Sequence, residues 1–408
     1  MSKKFLFIIP LLLFISSIFS QTLLKGKVVN EKSEPLENAV IYINNTTFGT
    51  FTDKDGNYEL KIDEGTYTLI ISFLGYKTLE KQIKTAKKSK TLYFVLHPKT
   101  NMLDEIIIKK TVYDKHWYYN LSQFKRTFLG RTLLAKNCKI LNPKVLHFEF
   151  DKKTGLLTAD ARKPLQILNK DLGYKITYDL VDFSLGRKQV TYLGYTKYQN
   201  LKGGKRKQKR WTKNRLKAYH GSRMHFVRSL RSQKLKDEGF NVNQFKRVLN
   251  PERPSEEKIR HAIKIVRLSG KPLNFRKEIT QPITQLDTAM VILKKVKLPK
   301  YIDYLYKTSV PYKDMILVSG KNILLQFKDY LSIIYTKEAE EDTYARRNMW
   351  KTREPLNVQT SAITMTQKTV ILDPTGDIID PLAIFAEGYW SYERFADMLP
   401  LNYQPKKE

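Results

Sequence analysis

The sequence is poor in cysteine, and this absence limits how the fold can be stabilised. Cys138 is the one thiol in 408 residues, so no intrachain disulfide can form and the chain relies on core packing. Cys138 lies among mostly apolar residues at 133–140. We expect a small buried core residue there and not a nucleophile.

Long apolar runs are absent after the first 20 residues. That start combines two lysines, an apolar run over residues 5–15 and small residues up to Ser20. The combination predicts a signal peptide over residues 1–20, with cleavage before Gln21. The run is shorter than the roughly 20 residues that a membrane-spanning helix needs. We therefore expect an exported chain with no transmembrane helix after cleavage.

Catalytic and metal-binding motifs are absent too. The sequence has no Gly-x-Ser-x-Gly elbow and no phosphate-binding loop, and its histidines lack zinc-site spacings such as His-Glu-x-x-His. The six histidines are His97, His116, His147, His220, His225 and His261. The sequence thus predicts no catalytic residue, no cofactor and no metal site. The balance is against an enzyme, although scattered residues can build an active site without a motif.

What the sequence does contain is a run of short strands over residues 23–96. Segments such as 39–43, 58–62 and 67–73 are apolar or alternate apolar with polar residues, and Gly and Asp stand between them. Strands at this regular spacing, separated by such turns, are typical of an all-β sandwich.

The same stretch carries a specific order of motifs. They are Gly26-Lys27-Val28, Pro35-Leu36-Glu37-Asn38-Ala39, the segment 49–58 with its Thr-Asp-Lys-Asp-Gly-Asn-Tyr turn, and Phe73-Leu74-Gly75-Tyr76. In this order they resemble the carboxypeptidase regulatory-like (transthyretin-type) domain of exported bacterial envelope proteins, over residues 22–98. The resemblance implies a non-catalytic seven-stranded sandwich that precedes many different partners, including TonB-dependent outer-membrane receptors. Residues 103–108 resemble the segment that follows the domain in those receptors.

The length of the remaining chain argues against such a receptor. A plug and a barrel of about 22 strands, each about 10 residues long, need more residues than follow the sandwich. We therefore expect the shared front domain without the receptor. The expected location is the periplasm or the outer-membrane periphery of a Gram-negative envelope.

An acidic turn at residues 53–64 has two interpretations. Its oxygen-bearing side chains follow the spacing of an EF-hand loop. They are Asp53, Asp55, Asn57, Glu59 and Glu64. However, Tyr58 stands where such a loop needs glycine, and Asp-Gly between alternating runs is a common hairpin turn. We favour the turn and predict that it binds no calcium.

After a linker predicted at residues 99–115, residues 116–408 form a second, basic domain of unknown function. Hairpins are indicated at 147–161 and 175–195, a meander at 315–335, and helices at about 207–236 and 255–268. The predicted fold class is multi-domain, with an N-terminal all-β sandwich (21–98) followed by an α+β domain with a mostly antiparallel sheet. Motifs such as Gly388-Tyr389-Trp390 loosely resemble the C-terminal part of uncharacterised envelope proteins that carry the same front domain, which implies no known activity.

The most unusual feature is a basic stretch at residues 205–236, with 13 Lys or Arg residues and no acid until Asp237. Together with the formal net charge of +33, it favours anionic partners. Three interpretations stay open: a basic helix on anionic lipid or lipopolysaccharide phosphates, a solvated helix face, or pairing with the acids at 338–342. The predicted anionic-surface residues are Lys205, Arg206, Lys207, Lys209, Arg210, Lys213, Arg215 and Lys217.

The basic stretch also has an apolar stripe that suggests how it packs. Tyr219, Phe226, Val227 and Leu230 are spaced to lie on one face of a single helix. Nucleic acid is disfavoured as a partner, because the chain is expected to be exported and has no recognised nucleic-acid-binding module.

Carboxylates and aromatics are interleaved near the C-terminus. The carboxylates are Asp373, Asp377, Asp380, Glu387, Glu393 and Asp397, and the aromatics are Phe385, Tyr389, Trp390, Tyr392 and Phe395. A glycosidase needs two carboxylates flanking a sugar. The same composition suits a helix over 391–399 that docks on the core with its acids outward, and we favour that interpretation.

These patterns lead to one prediction and one alternative. The prediction is a non-enzymatic cell-envelope protein, in which the sandwich is an interaction or spacer module and the basic domain associates with an anionic lipid or lipopolysaccharide surface or with another envelope protein. The alternative is a carboxylate-dependent hydrolase directed at carbohydrate or peptide.

Overall fold

The computed structural model describes residues 22–85, 89–99, 111–187, 189–270, 279–347 and 352–406. The predicted signal peptide and residues 100–110 of the predicted linker lie outside these ranges. The chain forms two compact units. The first comprises Met1–Leu129, Leu134–Arg215 and Leu399–Glu408, and the second Gly130–Leu133 and Leu216–Met398. The predicted domain boundaries stay a prediction. Residues 116–408, predicted as one domain, are divided between the two compact units.

The first unit begins with the β-sandwich. Its strands are β1 (Thr22–Asn30), β2 (Val40–Ile43), β3 (Gly49–Phe51), β4 (Asn57–Ile62), β5 (Thr66–Ser72), β6 (Leu79–Lys84) and β7 (Lys90–Leu96). They form one sheet in the order β4-β1-β7 and another in the order β3-β2-β5-β6. Strand β4 alternates exposed and buried residues, as a strand with one core-facing side should. The predicted seven-stranded sandwich is confirmed.

The acidic turn between β3 and β4 is held by its own side chain. The Asp53 carboxylate accepts hydrogen bonds from the backbone N–H groups of Asp55 (3.0 Å) and Asn57 (2.8 Å). Gly56 adopts a φ of +76°, which favours glycine. Turn chemistry therefore accounts for the Asp-x-Asp-Gly-Asn sequence.

The rest of the first unit is a helix on a six-stranded sheet. Its elements are α1 (Lys115–Phe128), α2 (Leu133–Lys136), β8 (Cys138–Ile140), β9 (Leu146–Asp151), β10 (Leu156–Ala161), β11 (Leu165–Asn169), β12 (Tyr174–Leu185) and β13 (Val190–Asn200). The hairpins β9–β10 and β12–β13 are antiparallel, as predicted. Cys138 is buried, also as predicted. Helix α1 was not predicted; the Asp114 side chain caps it, and its buried face includes Trp117, Phe124 and Phe128.

The second unit contains two antiparallel sheets and most of the remaining helices. In chain order the elements are α3 (Lys205–Tyr219), α4 (Arg223–Arg231), β14 (Phe240–Leu249), α5 (Glu256–Ser269), α6 (Gln285–Lys295), β15 (Tyr301–Lys307), β16 (Ile316–Ser319), β17 (Asn322–Leu325), β18 (Tyr330–Tyr335), α7 (Asp342–Ala345), β19 (Gln359–Met365), β20 (Val370–Leu372), β21 (Ile384–Gly388) and α8 (Tyr389–Tyr392). Helix α3 begins in the first unit and ends in the second. The sheet orders are β15-β14-β18-β19-β21 and β16-β17-β20. The predicted α+β content with mostly antiparallel sheets is confirmed.

Two predicted helices are wrong in extent. The helix expected over 207–236 is broken between α3 and α4, because Gly221 has a φ of +70° and Ser222 caps a new helix through the N–H of His225. Tyr219 therefore does not share one helix with Phe226. The helix expected over 391–399 is reduced to α8 and a short 3-10 turn.

Candidate functional site: the basic helix

Helix α3 presents most of the predicted anionic-surface residues to solvent. Eight of its 15 residues are Lys or Arg. The exposed ones are Lys205, Arg206, Lys207, Lys209, Arg210, Lys213 and Lys217, whereas Arg215 is half-buried. Among the described residues, no ion pair involves any of these eight except Lys217. The helix thus carries a dense positive charge that the described residues leave largely uncompensated.

One buried tryptophan anchors this charged helix. Trp211 is 3% exposed, and its indole Nε1–H donates to the Lys170 carbonyl at 2.9 Å. The ring covers Gly173, where a Cβ atom would lie 2.3 Å from Trp211 Cδ2. The β11–β12 turn therefore requires glycine, both for this close approach and for its φ of +72°.

Arg215 contacts neighbouring residues of the fold and does not project into solvent as the other cations do. Its guanidinium donates to the carbonyls of Leu172 (2.7 Å) and Gly173 (3.2 Å) and to Asn200 Oδ1 (3.2 Å). It also lies 4.0 Å from the centre of the Tyr174 ring. Arg215 is therefore a structural residue among the eight candidates, because its Nε and Nη2 groups already have partners.

The acidic run at 338–342 pairs with residues at the C-terminal end of helix α3 in the second unit. Lys217 Nζ lies 3.7 Å from Glu341 Oε1, and His220 Nδ1 lies 3.6 Å from Glu338 Oε1. Glu340 instead forms a bidentate pair with Arg353. The intramolecular interpretation therefore holds for Lys217 alone among the predicted surface residues.

The Glu341 carboxylate accepts hydrogen bonds from a backbone N–H and from two side-chain hydroxyls. Its Oε2 accepts from the Leu133 backbone N–H (3.2 Å), the Thr343 hydroxyl (3.2 Å) and the Tyr392 hydroxyl (3.0 Å). With Lys217 beside Oε1, this carboxylate joins the Gly130–Leu133 segment, α7 and α8 within the second unit.

Two of the six C-terminal carboxylates lie near Glu341. Burial raises the pKa of Asp397 to about 7, Glu341 adds to the rise, and hydrogen bonds from the Arg394 N–H and the Thr132 hydroxyl oppose it. Burial also raises the pKa of Glu393 well above its ordinary value, and the neighbouring Asp397 and Glu341 carboxylates add to the effect. This acid cluster (Glu341, Glu393 and Asp397) was not foreseen, because Glu341 lies about 50 residues before its partners in the sequence.

The other four C-terminal carboxylates stabilise local structure elsewhere. Their hydrogen-bond partners are Thr375 for Asp373, the Ile378 N–H for Asp377, the Leu382 N–H for Asp380 and Arg247 for Glu387. Of the interleaved aromatics, Tyr389, Tyr392 and Phe395 are buried. The hydrolase alternative stays an untested prediction.

The histidines near α3 and α4 have a structural arrangement. His225 is 2% exposed; its Nδ1 accepts from the Gly221 N–H at 3.2 Å, and its Nε2 lies 3.2 Å from Glu238 Oε2. Burial lowers the pKa of His225 to about 4, against the opposing effect of Glu238. Within the ranges that the structure describes, no three His, Cys, Asp or Glu residues are grouped to hold a metal ion.

Sequence reasoning found the exposed cations but missed their anchor. Trp211 is the one aromatic residue between Lys205 and Lys217. A lone tryptophan in a highly charged helix indicates a docked face. Arg215 follows Trp211 by one helical turn and so lies on the same docked face. This spacing distinguishes Arg215 from the solvent-facing cations.

Comparisons with known proteins concern the front of the chain. The TonB-dependent receptor SusC of Bacteroides thetaiotaomicron is 31% identical over 105 residues, which are 24% of this chain and 10% of the receptor. The TonB-dependent receptor P39 of Formosa agariphila is 29% identical over 94 residues, 23% of this chain and 9% of the receptor. The chain thus spans about a tenth of the length of these curated relatives.

Among solved structures, a DUF3823 family protein from Bacteroides ovatus aligns over 45% of this chain and 83% of its own, at 10% identity and a TM-score of 0.17. At that score the likeness carries no conclusion. None of the helices in the described ranges combines the length and apolar character that crossing a membrane requires.

The N-terminal resemblance is confirmed by sequence-family comparison. The profile of the CarboxypepD_reg-like domain matches residues 24–108, which include strands β2 to β7 and all but the first two residues of β1. This match and the similarity to two TonB-dependent receptors fit an envelope protein. Residues 24–108 therefore belong to the CarboxypepD_reg-like domain family.

Proposed function

We propose that this chain is a non-enzymatic protein of the cell envelope, in the periplasm or at the outer-membrane periphery. The sandwich serves as an interaction or spacer module, and helix α3 binds phosphate groups of an anionic lipid or lipopolysaccharide surface. The single observation that carries the proposal is the row of exposed cations on a helix fixed by Trp211.

The anchoring supports binding because it fixes the cations before any ligand arrives. Trp211, Asn214 and Arg215 all bond to backbone carbonyls of the β11–β12 turn, so the helix cannot roll to hide its charged side. A preorganised charged surface loses less conformational entropy on binding. Each basic residue near an anionic membrane surface contributes about 1 kcal/mol.

The test compares two variants that lose equal charge. In the first, Lys205, Lys207, Lys209 and Lys213 on α3 are replaced by Gln. In the matched control, Lys258, Arg260, Lys264 and Arg267, which are exposed on α5, are replaced by Gln. Binding is measured by co-sedimentation with phosphatidylglycerol/phosphatidylethanolamine vesicles and with lipopolysaccharide aggregates, at low and at physiological salt.

We expect the α3 variant to lose up to roughly a thousandfold in affinity at low salt, from four contributions of about 1 kcal/mol each. The control should bind almost as well as the unmodified chain, and binding should weaken as salt rises. Equal losses in the two variants would show that net charge, and not α3, determines binding. Salt-insensitive binding, or selective binding to an acidic polypeptide such as polyglutamate, would contradict the proposal.

A further inference from the structure

Three short strands of the second unit are apolar on both faces. Strands β16, β17 and β20 read Ile-Leu-Val-Ser, Asn-Ile-Leu-Leu and Val-Ile-Leu. Uninterrupted apolar strands are typical of sheets covered on both sides, whereas a sheet with one wet face alternates apolar with polar residues. The sequence of this small sheet therefore predicts two covered faces.

One face of the sheet packs on the core of the second unit. Leu325, Val370 and Leu372 are almost fully buried in that core, and Ile316 and Ile323 pack against it. These are five of the nine apolar residues in the three strands.

The opposite face carries a continuous aliphatic row. Leu317 is opposite Leu324, and Leu324 is opposite Ile371. The Ile379 N–H donates to the Ile371 carbonyl, which extends the row by a fourth side chain. We call Leu317, Leu324, Ile371 and Ile379 the aliphatic row.

The described residues leave the aliphatic row partly exposed to solvent. Leu317, Ile371 and Ile379 are 45%, 36% and 47% exposed. Leu324 is half-buried and is not among the residues packed on the core. Contiguous apolar surface of this kind marks an interaction site more often than scattered exposed residues do.

The charge around the row distinguishes the possible occupants. The segments that carry it, 312–326 and 366–382, hold three lysines and four aspartates, although the whole chain has a formal charge of +33. An anionic bilayer would gain no electrostatic attraction here. A second copy of the same chain would meet no like-charge repulsion here, because the local charge is almost balanced.

We propose that the aliphatic row is the centre of a homodimer interface, in which the row of one chain packs face to face on the row of a second copy. Such an interface is isologous, so the same residues serve both chains. It would complete the two-sided covering of the sheet, as in sandwiches whose sheets pack about 10 Å apart. This inference does not rest on the proposed lipid binding.

The test is the oligomeric state of the full mature chain. Sedimentation equilibrium over about 1 to 100 μM should show a reversible dimer, since association follows mass action. Leu317→Lys should weaken the dimer at least about tenfold, because it places like charges together in an apolar interface. The matched control is Leu268→Lys, at an exposed leucine of α5, which should leave the dimer intact.

A second variant guards against misfolding. Ile371→Lys should reproduce the Leu317→Lys effect, and both should keep the circular dichroism spectrum of the unmodified chain. Introducing cysteine at Leu324 should give a disulfide-linked dimer, whereas cysteine at Leu268 should not; Cys138 is buried and contributes no background. A monomer at all concentrations, or a dimer unaffected by both lysine variants, overturns the inference. So does a monomer whose binding to neutral vesicles depends on Leu317.

Discussion

At Gly26, strands β1 and β7 approach so closely that no other residue fits. A Cβ atom at this position would lie 1.7 Å from the Leu92 carbonyl oxygen, the same oxygen that accepts the Tyr58 hydroxyl at 3.1 Å. The Gly26-Lys27-Val28 motif, quoted above for the family resemblance, thus has a steric reason.

We therefore expect Gly26→Ala to destabilise the sandwich by about 3 kcal/mol or more, beyond ordinary overpacking because the obstacle is backbone. Gly204→Ala is the control, since a Cβ there meets nothing within 4 Å. Urea unfolding followed by circular dichroism measures both. Equal stability of the two variants would refute this account of β1.

Asp397 should make the second unit less stable as the pH rises. Its carboxyl has an ordinary pKa of 3.8, which the fold raises to about 7. Between these values the folded state binds more protons than the unfolded state, so the free energy of unfolding decreases with rising pH. The favourable contribution is complete below pH 4 and is lost as the pH passes 7.

Asp397→Asn should flatten this dependence, because the amide oxygen can still accept from the Arg394 N–H but no longer ionises. Urea unfolding at pH 5 and pH 8 measures the difference between the two conditions. Glu354→Gln, at an exposed side chain, is the control and should keep the original dependence. An unchanged pH dependence in Asp397→Asn would show that the acid cluster does not titrate as described.

At the scale of elements, sequence patterns predicted correctly those strands whose pairing partners are close in the sequence. The hairpins β9–β10 and β12–β13 follow from alternation and turn residues, both of which lie within a few positions. Gly221, in the middle of the expected helix, indicates the break between α3 and α4, whereas the apolar spacing of Tyr219 and Phe226 favours one continuous helix. Helical spacing alone does not exclude a turn that needs a positive φ.

Elements and sites that depend on distant partners could not be predicted. The acid cluster requires Glu341 to meet Asp397, and Trp211 requires the β11–β12 turn at Gly173. No local pattern encodes either pairing. The exposed cations of α3 were predictable from composition, whereas the distinction between Arg215 and its neighbours depends on the carbonyls that it meets in three dimensions.

At the scale of the whole molecule, the sandwich is tied to the rest of the first unit. The Asn45 N–H donates to the Thr196 carbonyl at 2.8 Å, and the Tyr198 N–H donates to the Thr46 carbonyl at 2.9 Å. The Leu401 N–H donates to the Asn45 carbonyl at 2.7 Å. One loop of the sandwich therefore bonds to β13 and to the C-terminal segment.

Residues 21–98 should nevertheless fold alone, since the sandwich has its own core, but with a lower Tm than the sandwich has in the full chain. Millimolar calcium should leave that Tm unchanged, because the Asp53 carboxylate is already engaged by the turn. Thermal melts with calcium and with EDTA measure this. A calcium-dependent rise in Tm that EDTA reverses would contradict the turn interpretation.

The return of Leu399–Glu408 to the first unit also governs the order of folding. During synthesis the sandwich and the α1 region appear first, yet Leu401, the hydrogen-bond partner of Asn45, appears only after the whole second unit. The first unit therefore cannot complete the hydrogen bonds of the Asn44–Thr47 loop until the last residues have been synthesised. Closing contacts of this sequence separation are slow to form, and partly assembled chains expose surfaces that aggregate. During its folding this protein should thus depend on chaperones more than its small, locally folded front domain would suggest.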